Sequence, residues 1–158
     1  MSDHDRSQEL VDALGAVHGR HPGFRAVHAR GTGAQGSFTA SAESAALSRA
    51  GQFSGTPVPV VARFSNGSGN PDLPDGARDG RGLAVKFRLA DGTSSDLVGL
   101  SLPVFFVRSV ADFLAFLAAR RPDPDTGVAD PALVGAWVGE HPEALASGST
   151  PSTWSMGP

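Results

Sequence analysis

Apolar residues alternate with a period of two through the middle of the chain and recur with a helical period near both ends. The clearest alternation, over residues 83–89, puts apolar side chains at every second position and predicts a half-buried antiparallel strand. Further strands are predicted over 24–30, 37–40 and 58–65, and 96–107 predicts another strand or a pair of strands broken at Pro103. In the run 58–65, this alternation places Arg63 and Ser65 on the same face.

Helical spacing predicts a helix over 7–17 and two further helices in the second half. Ser109, with Asp112 three residues later, begins one of them as a capping box, and Asp130 with Pro131 begins the other, which buries Leu133 and Trp137. A short helix is predicted over 44–49. The resulting organisation is a single domain of 158 residues, with a helix or arm at 1–20, strands at 21–107, helices at 108–146 and a flexible end at 147–158.

Composition narrows the class of protein. A net charge of −3 and the absence of long basic runs argue against a nucleic-acid partner. The sequence has no cysteine, which excludes disulfides, thiolate nucleophiles and cysteine-ligated metals. The first residues are polar, and the longest apolar run, 98–107, is shorter than the roughly 20 residues of a membrane span. We therefore expect a cytoplasmic protein with no membrane partner.

His28 is the candidate for chemistry, because an imidazole titrates near neutral pH and can both take and give a proton. It lies between Arg25 and Arg30, just before a glycine-rich run at 31–36. That run lacks the lysine and the helix of a phosphate-binding loop, and we interpret it as a turn. The alternatives are a solvent-facing or hydrogen-bonded histidine in a strand and, for Arg63 and Ser65, a solvated strand face.

Four separated blocks resemble, in order and spacing, the distal haem half of the catalase family. They read R-A-V-H-A-R-G-T-G-A-Q-G, V-A-R-F-S-N-G-S-G-N, R-D-G-R-G-L-A-V-K-F and D-L-V-G-L-S-L-P-V-F-F-V-R, within 23–116. The resemblance implies an α+β fold, with an antiparallel β-barrel of catalase type and peripheral helices. Only part of that barrel is expected from an N-terminal half.

The resemblance also implies a haem b site and a role for individual residues. His28 matches the distal catalytic histidine and Ser65 the serine that orients it. The residues that match cofactor-binding positions are two propionate-pairing arginines, two pocket valines and two aromatic residues near the ring, namely Arg25, Arg63, Val27, Val98, Phe105 and Phe113. The implied substrate is hydrogen peroxide or a small organic peroxide, and an organic electron donor and a homo-oligomer are further expectations.

Two departures from the family pattern keep other functions open. Leu100 stands where catalases have an asparagine that positions peroxide, which favours slower peroxidase chemistry over dismutation. Tyrosine, the axial iron ligand of catalases, is absent from the sequence, and four of its histidines, His4, His18, His21 and His141, are poor substitutes. No metal ligand is therefore assigned. The alternatives are a non-catalytic β-rich fragment or interaction domain and a haem enzyme acting on lipid hydroperoxides.

Overall fold

The computed structural model describes residues 3–148 and divides the chain into two compact units. The helical unit comprises the chain up to Arg30, the segment Asn66–Arg81 and the chain from Ser101 onward, and the sheet unit comprises Gly31–Ser65 and Gly82–Leu100. The flexible end predicted for 147–158 lies, from residue 149 onward, outside the described residues. The elements are α1 (Asp3–His18), β1 (Gly31–Phe38), α2 (Ala42–Leu47), a 3₁₀ turn (Gly51–Phe53), β2 (Val58–Asn66), β3 (Arg81–Arg88), β4 (Ser94–Leu100), α3 (Val110–Ala119), α4 (Pro131–Glu140) and α5 (Pro142–Gly148).

The four strands form one sheet in the order β1-β2-β3-β4. β1 pairs antiparallel with β2, with Gly31 opposite Ser65, and β3 pairs antiparallel with β4, with Gly82 opposite Leu100. Phe38 contacts Phe53 and Phe87 edge-on, at ring-centroid distances of 6.1 and 5.3 Å. These three rings form the apolar anchor of the sheet unit, because aromatic pairs in this geometry stabilise beyond the area that they bury.

Two predicted features around the glycine-rich run are wrong. Residues 24–30 form bends instead of a strand, and the predicted turn at 31–36 is most of β1. The amides of His28 and Ala29 donate to carbonyls of a loop, those of Gly67 and Ser68, and not to a strand ladder. Gly31, the first residue of this run, lies so close to β2 that a Cβ would be 2.5 Å from the Phe64 carbonyl oxygen, a use of glycine that its preference for turns conceals in the sequence.

The other strands follow the alternation more closely. The predictions for 58–65 and 83–89 are confirmed by β2 and β3, whereas β4 ends at Leu100 and residues 101–107 are bends. Ser101 makes one more backbone hydrogen bond, to the carbonyl of Arg81 at 2.9 Å. Pro103 follows and has no amide hydrogen to continue the ladder, so the apolar run 104–107 enters the helical unit as irregular chain.

The helical unit is built on α3, which packs on α1 and α4. The Ser109 hydroxyl accepts from the amide of Asp112 at 3.1 Å, which confirms the predicted cap, and Asp130 caps α4 in the same way. Leu117 and Trp137 are buried, but Leu133 is 56% exposed, so its predicted burial is wrong. The segment after His141 forms α5. Within residues 3–148, the structure has no helix with the length and apolar character of a membrane span.

Candidate active site

His28 has a backbone conformation that side chains rarely adopt. Its φ of +53° is the one positive value among non-glycine residues in the described part of the chain. The His28 amide donates to the carbonyl of Gly67 and the Ala29 amide to that of Ser68, both at 3.0 Å. A left-handed backbone costs free energy and persists where its surroundings impose it, as they often do at functional sites. These two hydrogen bonds are such an imposed restraint.

The loop that holds His28 runs from Gly67 to Gly80 and is closed at its own base. The amide of Gly67 donates to the carbonyl of Gly80 at 2.7 Å, and the Asp79 carboxylate accepts from the amides of Ser68 and Gly80, each at 2.8 Å. His28 and Ala29 are thus bonded to a segment that has its own internal hydrogen bonds.

Gly69 lets this loop approach the His28 segment. A Cβ at position 69 would overlap the carbonyl oxygen of Ala26 and lie 2.7 Å from the Cβ of His18. At Gly76, in the same loop, a Cβ would meet nothing within 4 Å. The loop therefore requires glycine at position 69, whereas position 76 has room for a methyl group.

Two buried polar side chains close the loop from inside the helical unit. Arg81 is 5% exposed and Asn66 1% exposed. The Arg81 guanidinium donates to the Asn66 side-chain oxygen and to the carbonyls of Asp75 and Ala77, the last two at 2.7 and 2.5 Å. The Asn66 amide group donates to the Asp75 carboxylate at 3.1 Å. A buried polar group is stabilising when its donors are satisfied, and the fork of Arg81 meets three acceptors here.

One face of the sheet unit carries three of the predicted site residues. The contact between Phe38 and Phe87 marks the opposite face, and alternation from these two rings places Arg63, Ser65 and Val98 together on the other one. Ser65 is buried, whereas Val98 is 76% exposed. Leu100 lies on this same face by alternation, at the end of β4.

Gly31 provides the space that Arg63 uses. A Cβ at position 31 would lie 2.8 Å from the guanidinium carbon and from Nη2 of Arg63, and 2.5 Å from the carbonyl oxygen of Phe64. The arginine side chain therefore extends over the bare backbone of β1. A planar guanidinium in this position is suited to a carboxylate partner, which it binds through paired hydrogen bonds.

Aromatic rings line the start of α3. Phe105 and Phe113 contact each other edge-on at 6.1 Å, and Phe105 is 51% exposed. The cluster continues through Phe106 and Phe116 to Trp137, which stacks on the His141 ring at a centroid distance of 3.9 Å. One end of the cluster is thus exposed and the other is buried against α4.

His18, which lies against Gly69 of the loop, has a shifted pKa. Burial lowers the pKa of His18 below its ordinary value of 6.5, and the positive charge of Arg120 adds to this effect while the Asp79 carboxylate opposes it. In the described part of the chain, no group of three or more histidine, cysteine, aspartate or glutamate side chains has the arrangement of a metal site.

The catalase family model matches residues 8–154 of this sequence. The chain belongs to the catalase family. It is 39% identical over 152 residues to a catalase-related peroxidase of Synechococcus elongatus and 39% identical over 137 residues to one of Mycolicibacterium paratuberculosis. These alignments cover 92% and 87% of this chain but 45% and 42% of the two relatives, so the chain spans about half the length of the curated relatives it matches.

Solved catalases share the fold. A bacterial catalase superposes with a TM-score of 0.66 at 27% identity and covers 87% of this chain, and a fungal catalase superposes with a TM-score of 0.64 at the same identity. Each match covers 27% of the longer catalase chain. The α+β class predicted from the sequence agrees with these neighbours, and the described strands form an open four-stranded sheet.

The predicted site residues of this catalase-family chain fall into both units. The helical unit holds Arg25, Val27, His28, Phe105 and Phe113, of which the two phenylalanines are in contact. Three others share one face of the sheet unit, namely Arg63, Ser65 and Val98. Their individual roles stay predictions.

Sequence reasoning missed the network of Arg81, Asn66 and Asp75. A signal for it was present, because the long polar loop begins and ends with a large polar residue at the ends of two predicted strands, Asn66 and Arg81. Nothing in the sequence pattern indicated that the two ends of this loop bind each other.

Proposed function

We propose that this chain is the distal haem part of a catalase-related peroxidase, and that His28 moves a proton between the two oxygens of hydrogen peroxide. The observation that carries this proposal is the restrained, left-handed backbone at His28 within a catalase-family match. General acid–base catalysis by a positioned side chain requires a fixed imidazole, and two backbone hydrogen bonds support that fixation.

The residues of the chain suit a haem on chemical grounds. Exposed apolar side chains such as Phe105 and Val98 are suited to a porphyrin face, and Arg63, extended over Gly31, is suited to a propionate. We assign Arg25 to the second propionate, Val27 and Phe113 to the pocket wall, and Ser65 to the orientation of His28. Haem b, when bound, would supply the redox-active iron at which peroxide reacts.

A protein ligand for the haem iron is not assigned to this sequence, which contains neither tyrosine nor cysteine. We propose that polypeptide additional to these 158 residues supplies it, and that the open sheet is part of a catalase-type barrel. Reading the coding DNA beyond the codon for Pro158 tests this directly. An open frame with an arginine and, a few residues later, a tyrosine in a helical pattern supports the proposal, and a stop codon contradicts it.

Leu100 favours peroxidase over dismutase chemistry. It lies on the same face of the sheet as Arg63 and has no hydrogen-bond donor for a second peroxide. We therefore propose an organic electron donor as the reductant. The variant Leu100→Asn should raise oxygen release from peroxide relative to oxidation of a phenolic donor, and an unchanged ratio would remove Leu100 from the argument.

A second candidate, a β-rich interaction domain without iron, is favoured by the missing tyrosine. Haem titration of the chain, followed by the Soret absorbance, separates the two candidates. If haem binds, His28→Ala should lower the rate of peroxide consumption by about 10²–10⁴-fold, the usual contribution of a general acid or base. His4→Ala, at an exposed position of α1, is the matched control and should keep the parent rate. Equal rates for the His28 variant and the parent would refute the assigned role.

The cytoplasmic location and a homo-oligomeric state stay predictions.

A further inference from the structure

We propose that Arg81 is a positioning residue for His28, acting through the loop between Asn66 and Arg81. The proposal rests on the proposed function, because fixing the His28 backbone has value for catalysis only if His28 carries the proton. Arg81 lies 53 positions after His28 in the sequence, and its effect passes through intermediate hydrogen bonds.

The first link joins Arg81 to the loop from both sides. Its guanidinium binds Asn66 before the loop, and the carbonyls of Asp75 and Ala77 within it. Its backbone is fixed in turn, because the Arg81 amide donates to the Ser101 hydroxyl at 2.8 Å and its carbonyl accepts from the Ser101 amide. Arg81, the first residue of β3, therefore anchors the loop to Ser101.

The second link joins the loop to His28. The backbone amide of Asn66 donates to the carbonyl of Arg30 at 3.1 Å. The carbonyls of the next two residues, Gly67 and Ser68, accept from the backbone amides of His28 and Ala29. Asn66 and the first two residues of the loop thus bond to the segment that carries the left-handed backbone. A shift of Asn66 would move the carbonyl of Gly67, the next residue, which accepts from the His28 amide.

The position needs arginine and not a positive charge alone. Arginine presents its donors in a rigid planar fork, whereas lysine has a single ammonium group on a flexible chain. Asn66 and the two carbonyls lie in different directions from the guanidinium, and one ammonium group cannot replace contacts made by two separate nitrogens, Nη1 and Nη2. The variant Arg81→Lys should therefore loosen the loop while it keeps the charge.

Amide hydrogen exchange on the full 158-residue chain, without haem, tests the proposal. In Arg81→Lys, exchange at the His28 and Ala29 amides should accelerate at least about tenfold, which corresponds to about 1.4 kcal/mol, while amides in the centre of β3 keep their rates. A purely structural role would accelerate exchange in the whole sheet to the same extent.

Gly69→Ala provides a second, independent perturbation, because its methyl group would overlap Ala26 and push the loop away from His28. It should give the same local exchange signature, and Gly76→Ala, the matched control in the same loop, should give none. Unchanged exchange at His28 in the Arg81 and Gly69 variants would overturn the proposal. Loss of folding in both would overturn it as well, since the two residues would then serve the fold in general.

The loaded protein distinguishes this proposal from the proposed function. If haem binds, Arg81→Lys should lower kcat for peroxide by about tenfold or more with KM unchanged, as expected when the geometry of a proton carrier is disturbed. An unchanged kcat alongside faster exchange at His28 would also overturn the catalytic part of the proposal. If haem does not bind to the parent chain, the proposed function fails, and the exchange experiment still decides whether Arg81 fixes the His28 backbone.

Discussion

Gly31→Ala tests the close approach that brings Arg63 over β1. The new methyl carbon would lie 2.5 Å from the Phe64 carbonyl oxygen, and the guanidinium of Arg63 would be 2.8 Å away. Arg63 can rotate aside, but the Phe64 carbonyl belongs to the backbone of the paired strand and can move only if the strands separate. Overpacking of this kind costs about 1–3 kcal/mol. The loss of glycine flexibility in the unfolded chain offsets about 0.4–1 kcal/mol of this cost.

The net expectation is a destabilisation of about 1–2 kcal/mol, or a thermal midpoint lower by about 2–8 °C for a chain of this size. Gly36→Ala is the matched control, because it lies in the same strand and its methyl group would meet nothing within 4 Å. Its midpoint should stay level or rise, because only the flexibility effect remains. Circular dichroism melts of the three proteins measure both shifts. Equal midpoints for the two variants would show that β1 and Arg63 are not in the described contact.

Two further predictions concern the helical unit. Leu117→Ala should lower the free energy of unfolding in urea by about 2–5 kcal/mol, because the side chain is 2% exposed. Leu133→Ala, at a position 56% exposed, should lower it by less than about 1 kcal/mol. Similar losses for the two variants would contradict the described packing. Stability should also fall as pH drops below 6.5, because burial and Arg120 lower the pKa of His18, so that the unfolded chain binds a proton more readily than the folded one. The Asp79 carboxylate opposes the lowering of the His18 pKa and so makes this loss of stability smaller. In melts at pH 7.5 and 5.5, His18→Gln should lose less stability than the parent between the two pH values. An equal loss in both proteins would show that other groups cause it.

The sequence predicted those features that depend on neighbouring residues. The alternation over 83–89 identified β3, and the pattern Ser109 to Asp112 identified the cap of α3, because both are set within one element. The four blocks that resemble catalases identified the family without any structural information. For His28, the residue type and its arginine neighbours were sufficient to mark it as a candidate.

Features that depend on distant segments were not predictable. Alternation gave no sign that 24–30 is bent, because its amides are satisfied by a loop almost 40 residues further on. The run 31–36 has the composition of a turn, and it is a strand because β2 lies against it. Arg81 was missed because nothing in the local sequence separates a buried, hydrogen-bonded arginine from one on the surface.

The length of β1 determines how it pairs with β2. Of its eight residues, seven are exposed, so burial along the strand does little to fix which residue faces which on β2. Register is set at the two ends, where Gly31 must lie beneath Arg63 and Phe38 must reach Phe53 and Phe87. The residues between can vary widely in kind, but their number cannot. One residue inserted between the two ends would turn Phe38 to the opposite face or displace Gly31 from Arg63. In β1, the number of residues between Gly31 and Phe38 therefore constrains the fold more than the types of those residues do.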